Sequence, residues 1–212
     1  MKTPNANLHL YVLAALLSGS SLAACAQTTT PTTASTAPNP AKTSLLQPAQ
    51  QMMTKMKNLQ ATGDPDFDYA FRAKVHLQGA QDLLKQETQN GKDSAIKQMA
   101  QQLLTAAQTD ANSVDNILKT LKPTRPNAAF AQQQSRNVEA MNLKVQQMSA
   151  GDRLTNDLDK NFVALYLDHR QDAIDMATNY LQYGKNESLR SLAQQLLDKA
   201  KAEMNQLKAV GK

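Results

Sequence analysis

Apolar residues return every three or four positions through most of residues 64–121 and again through 157–210. That is the period of helices with one buried face. Asp64-Pro65-Asp66 supplies an N-cap, a proline at the first helical position and an acid in the first turn. The spacing predicts a helix from there to about Gln89, with Gly91 as a left-handed stop. Asp93 caps a second helix that runs towards Leu121, before Pro123 and Pro126 break the chain. The later stretch copies this plan: Asp157 or Asp159 starts a helix, Gly184 stops it, and Asn186 caps a last helix that fades near Val210. Connections of two or three residues force antiparallel neighbours, so each stretch is a helical hairpin. Met52–Gln60 and Val138–Gln147 add a helical segment before each hairpin.

The two hairpins are one unit used twice. Asp64–Leu118 aligns with Asp157–Gly211 at an offset of 93 residues, without a gap and with 16 identities in 55 positions. The matches include Asp66/Asp159, His76/His169, Gly91/Gly184, Lys92/Lys185 and the run from Ala100 to Leu104 against Ala193 to Leu197. Two such hairpins predict an all-α fold, a four-helix bundle with extra flanking helices.

Four polar residues interrupt the apolar stripes. His76 sits in the middle of Tyr69, Ala73, Ala80 and Leu83, and His169 among Phe162, Leu165, Tyr166, Ala173, Met176 and Tyr180. Asp110 interrupts the face of Met99, Leu103, Ala107, Val114 and Ile117; Glu203 interrupts that of Leu189, Leu192, Leu196, Ala200 and Leu207. Asp110 and Glu203 also align at the repeat offset. A buried carboxylate or imidazole without a partner costs several kcal/mol, so these groups are expected to meet something. His76 lies fifteen residues before Gly91 and Asp110 nineteen after it, and His169 and Glu203 stand likewise about Gly184. The mismatch is about 6 Å of helix, within reach of side chains leaning together. One reading is a metal site, with His76 and His169 as nitrogen donors and Asp110 and Glu203 as oxygen donors for zinc, copper or iron. The other is a pair of His–carboxylate hydrogen bonds that fix helix register. The Glu-x-x-His pattern of di-iron bundles is absent.

Composition narrows the field. Aromatic residues make up only 4% and Trp is absent, which favours helices over sheets. The net charge of +5 comes from 23 basic residues interspersed with 18 acidic ones, which is no phosphate-tracking surface, and no nucleic acid is expected as a partner. Arg72, Arg125, Arg136, Arg153, Arg170 and Arg190 are scattered and read as a solvated face. Gln101, Gln102, Gln132, Gln133, Gln134, Gln194 and Gln195 read as the neutral outer faces of soluble helices.

The single Cys excludes a disulfide framework. It lies at Cys25, after Lys2, an apolar stretch from Leu8 to Leu17 and the run Leu22-Ala23-Ala24. A short charged start, a short apolar middle and a small-residue exit are the marks of an export signal. Leu-Ala-Ala-Cys also resembles the lipobox of bacterial lipoproteins, which implies cleavage before Cys25 and lipid attachment to its sulfur. Ala26 follows, where retention in the inner membrane typically uses Asp, so the resemblance favours an outer-membrane anchor facing the periplasm. The expected organisation is a signal at 1–24, a flexible Thr/Pro/Ala-rich tether at 25–43, a first helical repeat at 44–121, a linker at 122–137 and a second repeat at 138–212.

The hairpins carry a family likeness. Gly63-Asp64-Pro65-Asp66-Phe67 followed by His76-Leu77-Gln78-Gly79-Ala80 resembles the DUF305 family of ferritin-like helical bundles, and the segment from His169 to Ala177 resembles it more closely. Some members of that family are secreted or periplasmic proteins linked to copper or other soft metals. The resemblance implies that His76 and His169 stand at the first of the family's paired histidines, Glu203 at its later Glu, and Asp110 as a shortened counterpart. The second histidine of each pair is Leu77 in one repeat and Arg170 in the other. The methionine usual three residues before is Ala73 and Tyr166, and the family's later Gln is Ala107 and Ala200. Met52, Met53 and Met56 are either a soft-ligand cluster or core packing.

Three functions follow. One is a non-enzymatic, periplasm-facing lipoprotein that binds or buffers a metal ion, copper or another transition metal, through His76, Asp110, His169 and Glu203. The second is an envelope module without metal that presents its surface to a protein or polymer partner. An enzyme is the least supported, because the one Cys is at the lipid anchor and the glycines are isolated at turns. The membrane is the partner the sequence names, through Cys25; a protein partner and the oligomeric state are not specified.

Overall fold

A computed structural model describes residues 39–151 and 153–211. The stretch read as a signal, Cys25 and residues 25–38 of the stretch read as a tether lie outside the described residues. Among those described there are six helices and no strand: α1 (Pro40–Asn58), α2 (Pro65–Asn90), α3 (Ser94–Leu118), α4 (Ala128–Ala150), α5 (Leu158–Tyr183) and α6 (Glu187–Val210). The chain is an all-α helical bundle. Hairpin α2–α3 packs on hairpin α5–α6 through α2 against α5 and α3 against α6, which closes the four-helix core. Helix α1 lies on α2, α4 and α5, and α4 lies on α5.

The caps follow the chemistry of the sequence. Asp64, Asp93, Asp157 and Asn186 each accept a backbone N–H at the start of their helices. Both flanking helices begin earlier than the apolar pattern indicates. Asn39 caps α1 with Pro40 at its first position, so the helix starts inside the stretch read as tether. Asn127 caps α4, which starts inside the stretch read as linker because Phe130 is fully buried and anchors it.

Gly91 and Gly184 are not left-handed stops. Their backbones are extended, with φ −62° and −66°. What the sites require is space: a Cβ would lie 2.1 Å from the Glu87 carboxyl at Gly91 and 2.0 Å from the Tyr180 ring at Gly184. The one positive-φ glycine among the described residues is Gly63, at φ 78° in the loop before α2.

The core has two apolar clusters. One gathers Met52, Met53, Met56, Tyr69, Phe130, Met176, Tyr180 and Leu189; the other Leu45, Leu83, Leu84, Leu104, Phe162, Tyr166 and Leu207. Each fully buried large side chain contributes about 1.5–3 kcal/mol. Met52, Met53 and Met56 therefore serve as core packing, with Met52 seated against Gly79. His76 and His169 stand between the clusters, at the waist of the bundle.

Candidate functional site

The waist is built where α2 and α5 cross. His76 and His169 are 2% and 3% exposed and their rings stack at 3.6 Å between centroids. His169 Nε2 lies 3.1 Å from the backbone oxygen of His76, its own counterpart in the other repeat. A residue that touches its repeat mate sits on the pseudo-twofold axis, so the position that holds histidine in both repeats is the axial level of the fold.

The partners of His169 fix its tautomer. Arg170 Nη2 is 2.8 Å from His169 Nδ1. A guanidinium only donates, so Nδ1 carries a lone pair and Nε2 carries the hydrogen it donates to the His76 carbonyl. Arg170 Nη1 also donates to Glu203 Oε2 at 3.1 Å, and the guanidinium lies 4.7 Å above the Tyr166 ring. Tyr166 Oη is 3.5 Å from the same Glu203 oxygen. His76 is less engaged, and its Nε2 meets no partner. Both histidines are held well below the ordinary imidazole pKa. For His76 burial is the main cause, with the charges of Arg170 and Lys144 adding to it; for His169 burial leads, followed by His76 and Arg170. Cavities of about 20 Å³, each the size of one water, flank the pair, one beside His169 and the other beside His76 and Met176.

The four residues singled out from the sequence thus separate. His76 and His169 meet each other. Glu203 reaches His169 only through Arg170, and Asp110 turns away to pair with Lys199. Neither the tetrad of metal donors nor the intra-hairpin His–carboxylate bonds form. Among the described residues no group of three or more His, Cys, Asp or Glu side chains is placed to hold a metal ion. The chemistry of the donor set agrees: both His169 nitrogens are committed and each carboxylate is neutralised by a cation. The residues present do not fit the metal that the family likeness implies.

Sequence reasoning also misplaced two arginines and a glutamine. Arg72 and Arg170 are each only 6% exposed rather than solvated, and Arg72 Nε and Nη1 lie buried without partners. Burial lowers the Arg72 pKa and Asp68 offsets part of that. Gln134 is buried against Asn179 Nδ2 at 3.2 Å. A signal for Arg170 was present: it follows His169 directly and falls four residues after Tyr166, on the edge of the apolar stripe.

A second constellation escaped the sequence reading. Asp66 and Asp159 each hold the turn of the opposite hairpin. Asp66 Oδ1 accepts from Lys185 N at 2.9 Å, Asn186 N at 3.2 Å and Tyr180 Oη at 2.7 Å. Asp159 Oδ1 accepts from Lys92 N at 2.9 Å and Asp93 N at 3.0 Å, and the buried Glu87 carboxyl stands beside it. Lys92, Asp93 and Glu87 are the repeat mates of Lys185, Asn186 and Tyr180, so the clasps are related by the same pseudo-twofold. Glu87 Oε1 and Oε2 are buried and meet no hydrogen-bond partner. Burial raises the Glu87 pKa to about 8, with Asp159 adding to it. Burial also works to raise Asp159, but the Asp93 and Lys92 amides and the Glu87 carboxyl outweigh it and leave that acid below its usual range. The identity of Asp66 with Asp159 was legible; its reach into the other hairpin was not.

Comparison with known proteins returns neither a curated protein nor a solved structure that matches the chain. One family model does match, that of a domain of unknown function, DUF305, over residues 74–210. This range runs from the middle of α2 to the end of α6 and takes in both waist histidines, and by that match the chain belongs to the DUF305 family.

Proposed function

We propose that the protein is a non-enzymatic module of the bacterial envelope, lipid-anchored at Cys25 and facing the periplasm, whose His–Arg–Glu waist is a structural joint rather than a metal site. The observation that carries the reading is the state of His169: Arg170 takes its lone pair and the His76 carbonyl takes its hydrogen. A joint of this kind locks two hairpins into one rigid body. Such a body, displayed from a membrane on a tether, suits presentation of its outer helix faces to a protein or polymer partner.

The test compares the wild type with a His76→Ala/His169→Ala variant by thermal unfolding, with and without copper(I), copper(II) and zinc. The structural joint predicts that the variant loses stability while no metal shifts the wild type. A metal-buffering protein predicts the reverse: stoichiometric uptake by the wild type that the variant lacks. The anchor is tested separately by labelled palmitate, which the wild type is expected to incorporate and Cys25→Ser is not. A wild type that takes up no label overturns the lipid attachment.

A further inference from the structure

We propose that the Arg170 guanidinium is the resident cation of the waist, occupying between His169 Nδ1 and Glu203 Oε2 the position a transition-metal ion would take, so that the chain carries a latent metal site opened only by loss of Arg170. The inference rests on the metal-free reading above and goes beyond it, since it names what replaces the ion.

The first argument is the donor set. An imidazole nitrogen lone pair and a carboxylate oxygen are the ligands a zinc or copper ion takes from a protein. Here both converge on one planar cation, at 2.8 and 3.1 Å. Arginine suits this buried role because its guanidinium stays charged, is weakly hydrated and aims two N–H groups along fixed directions. The Tyr166 ring below it adds a cation–π contact.

The second argument is the other repeat, which is an internal control. The mate of Arg170 is Leu77, 4% exposed, and the mate of Glu203 is Asp110. Where leucine stands in place of the guanidinium, no cation follows the histidine to hold the acid. Asp110 makes no bond to His76 and pairs instead with the half-exposed Lys199. Carboxylate and cation come as a pair: with Arg170 the acid stays at the histidine, and without it the acid goes elsewhere.

The experiment uses the full chain as wild type, Arg170→Ala, Arg170→His and Arg170→Ala/Glu203→Gln. Each is titrated with zinc and with copper(II) against a chromophoric chelator and melted with and without one equivalent of ion. Arg170→Ala frees His169 Nδ1 and Glu203 together; Arg170→His frees the same two and adds a third donor. The expected result is a gain in affinity of about 100-fold or more for both single variants over the wild type. Thermal stability lost in Arg170→Ala is expected to return with ion, and no such recovery is expected in the double variant. Equal affinity of wild type and folded Arg170 variants overturns the proposal while leaving the metal-free reading intact. Tight binding by the wild type that His76→Ala/His169→Ala abolishes overturns both. Should the variants not fold, long-range proton–nitrogen spectra of the wild type decide. A His169 ring protonated at Nε2, with spectra unchanged by one equivalent of zinc, supports the resident cation; a ring protonated at Nδ1 overturns it.

Discussion

The clasp between Glu87 and Asp159 makes stability fall with rising pH in a range where most proteins are indifferent. Glu87 releases its proton near the ordinary value of 4.5 in the unfolded chain but at about 8 in the folded protein. Between those values the folded state holds a proton that the unfolded state has lost, so this contribution is complete below about pH 4.5 and drains away as pH rises through 8. At 1.36 kcal/mol per pKa unit, taking the protein from pH 5 to pH 9 removes about 4 kcal/mol at most. Asp159 borders an open groove with Lys92 and Asp157, and solvent screening there brings the figure to about 2 kcal/mol. In a protein of this length that is about 4–8 °C of Tm. The assay is thermal unfolding by circular dichroism at half-unit pH steps on wild type, Glu87→Gln and Glu87→Tyr. Glutamine donates an N–H to Asp159 at any pH, and tyrosine copies the Tyr180–Asp66 arrangement, with Gly91 leaving room for the ring as Gly184 does. Both variants should lose the excess slope between pH 5 and 9. A Glu87→Gln protein that falls as steeply as wild type refutes the argument.

Three further outcomes follow from the packing. His76 and His169 should still be neutral as the pH falls through 6.5, seen as flat imidazole C2–H shifts; a midpoint near 6.5 for either contradicts the burial that depresses them. Because the unfolded chain takes up these protons below about 6.5 and the folded one does not, their contribution to stability is present above that pH and declines as the solution is acidified. Gly184→Ala should cost about 1–3 kcal/mol in urea denaturation through collision with the Tyr180 ring, and the cost should shrink in a Tyr180→Ala background. An equal cost in both backgrounds would point to backbone freedom instead. Lys199→Ala should lose about 1 kcal/mol by leaving the buried Asp110 carboxylate alone, whereas Lys74→Ala, from an exposed pair with Asp115, should stay within about 0.5 kcal/mol. Matching losses from the two lysines would show that burial of Asp110 adds nothing.

The sequence made the four bundle helices legible because their start signals are local: each of Asp64, Asp93, Asp157 and Asn186 caps the helix that follows it. The ends were less legible. Gly91 and Gly184 have the composition of a left-handed stop, yet the need they meet lies four residues back, in the bulk of Glu87 and Tyr180. The site was half legible. An imidazole in an apolar stripe must find a partner, and periodicity shows that it is buried, but periodicity along one helix says nothing about which residue of a different hairpin lies opposite. His76 was therefore matched to Asp110 within its own hairpin, when its ring meets His169. Arg170 was overlooked for the same reason: a charged side chain at the edge of a stripe is ordinarily solvated, and only the assembled waist supplies the lone pair and the carboxylate that bring it inside.

The position of each repeated residue relative to the pseudo-twofold explains which identities persist between the hairpins. At the axis a residue is its own partner, so a change in one copy alters the environment of the other; His76 and His169 occupy that place and match. Asp66 and Asp159 lie off the axis but hold backbone amides, which every residue except proline provides, so the same acid serves both clasps. The third member of each clasp is a side chain, and there the copies differ: the Tyr180 phenol donates to Asp66, and the buried Glu87 carboxyl, its pKa raised, stands beside Asp159. Leu77 and Arg170 have no symmetric partner to satisfy. One buried guanidinium is held by His169 and Glu203, whereas a second at position 77 would set two like charges beside a pair of neutral imidazoles. On this argument Leu77→Arg should destabilise the bundle by several kcal/mol in urea denaturation, and more than Leu77→Ala does. A Leu77→Arg protein as stable as the wild type would show that the waist tolerates a second cation and that its asymmetry has no electrostatic origin.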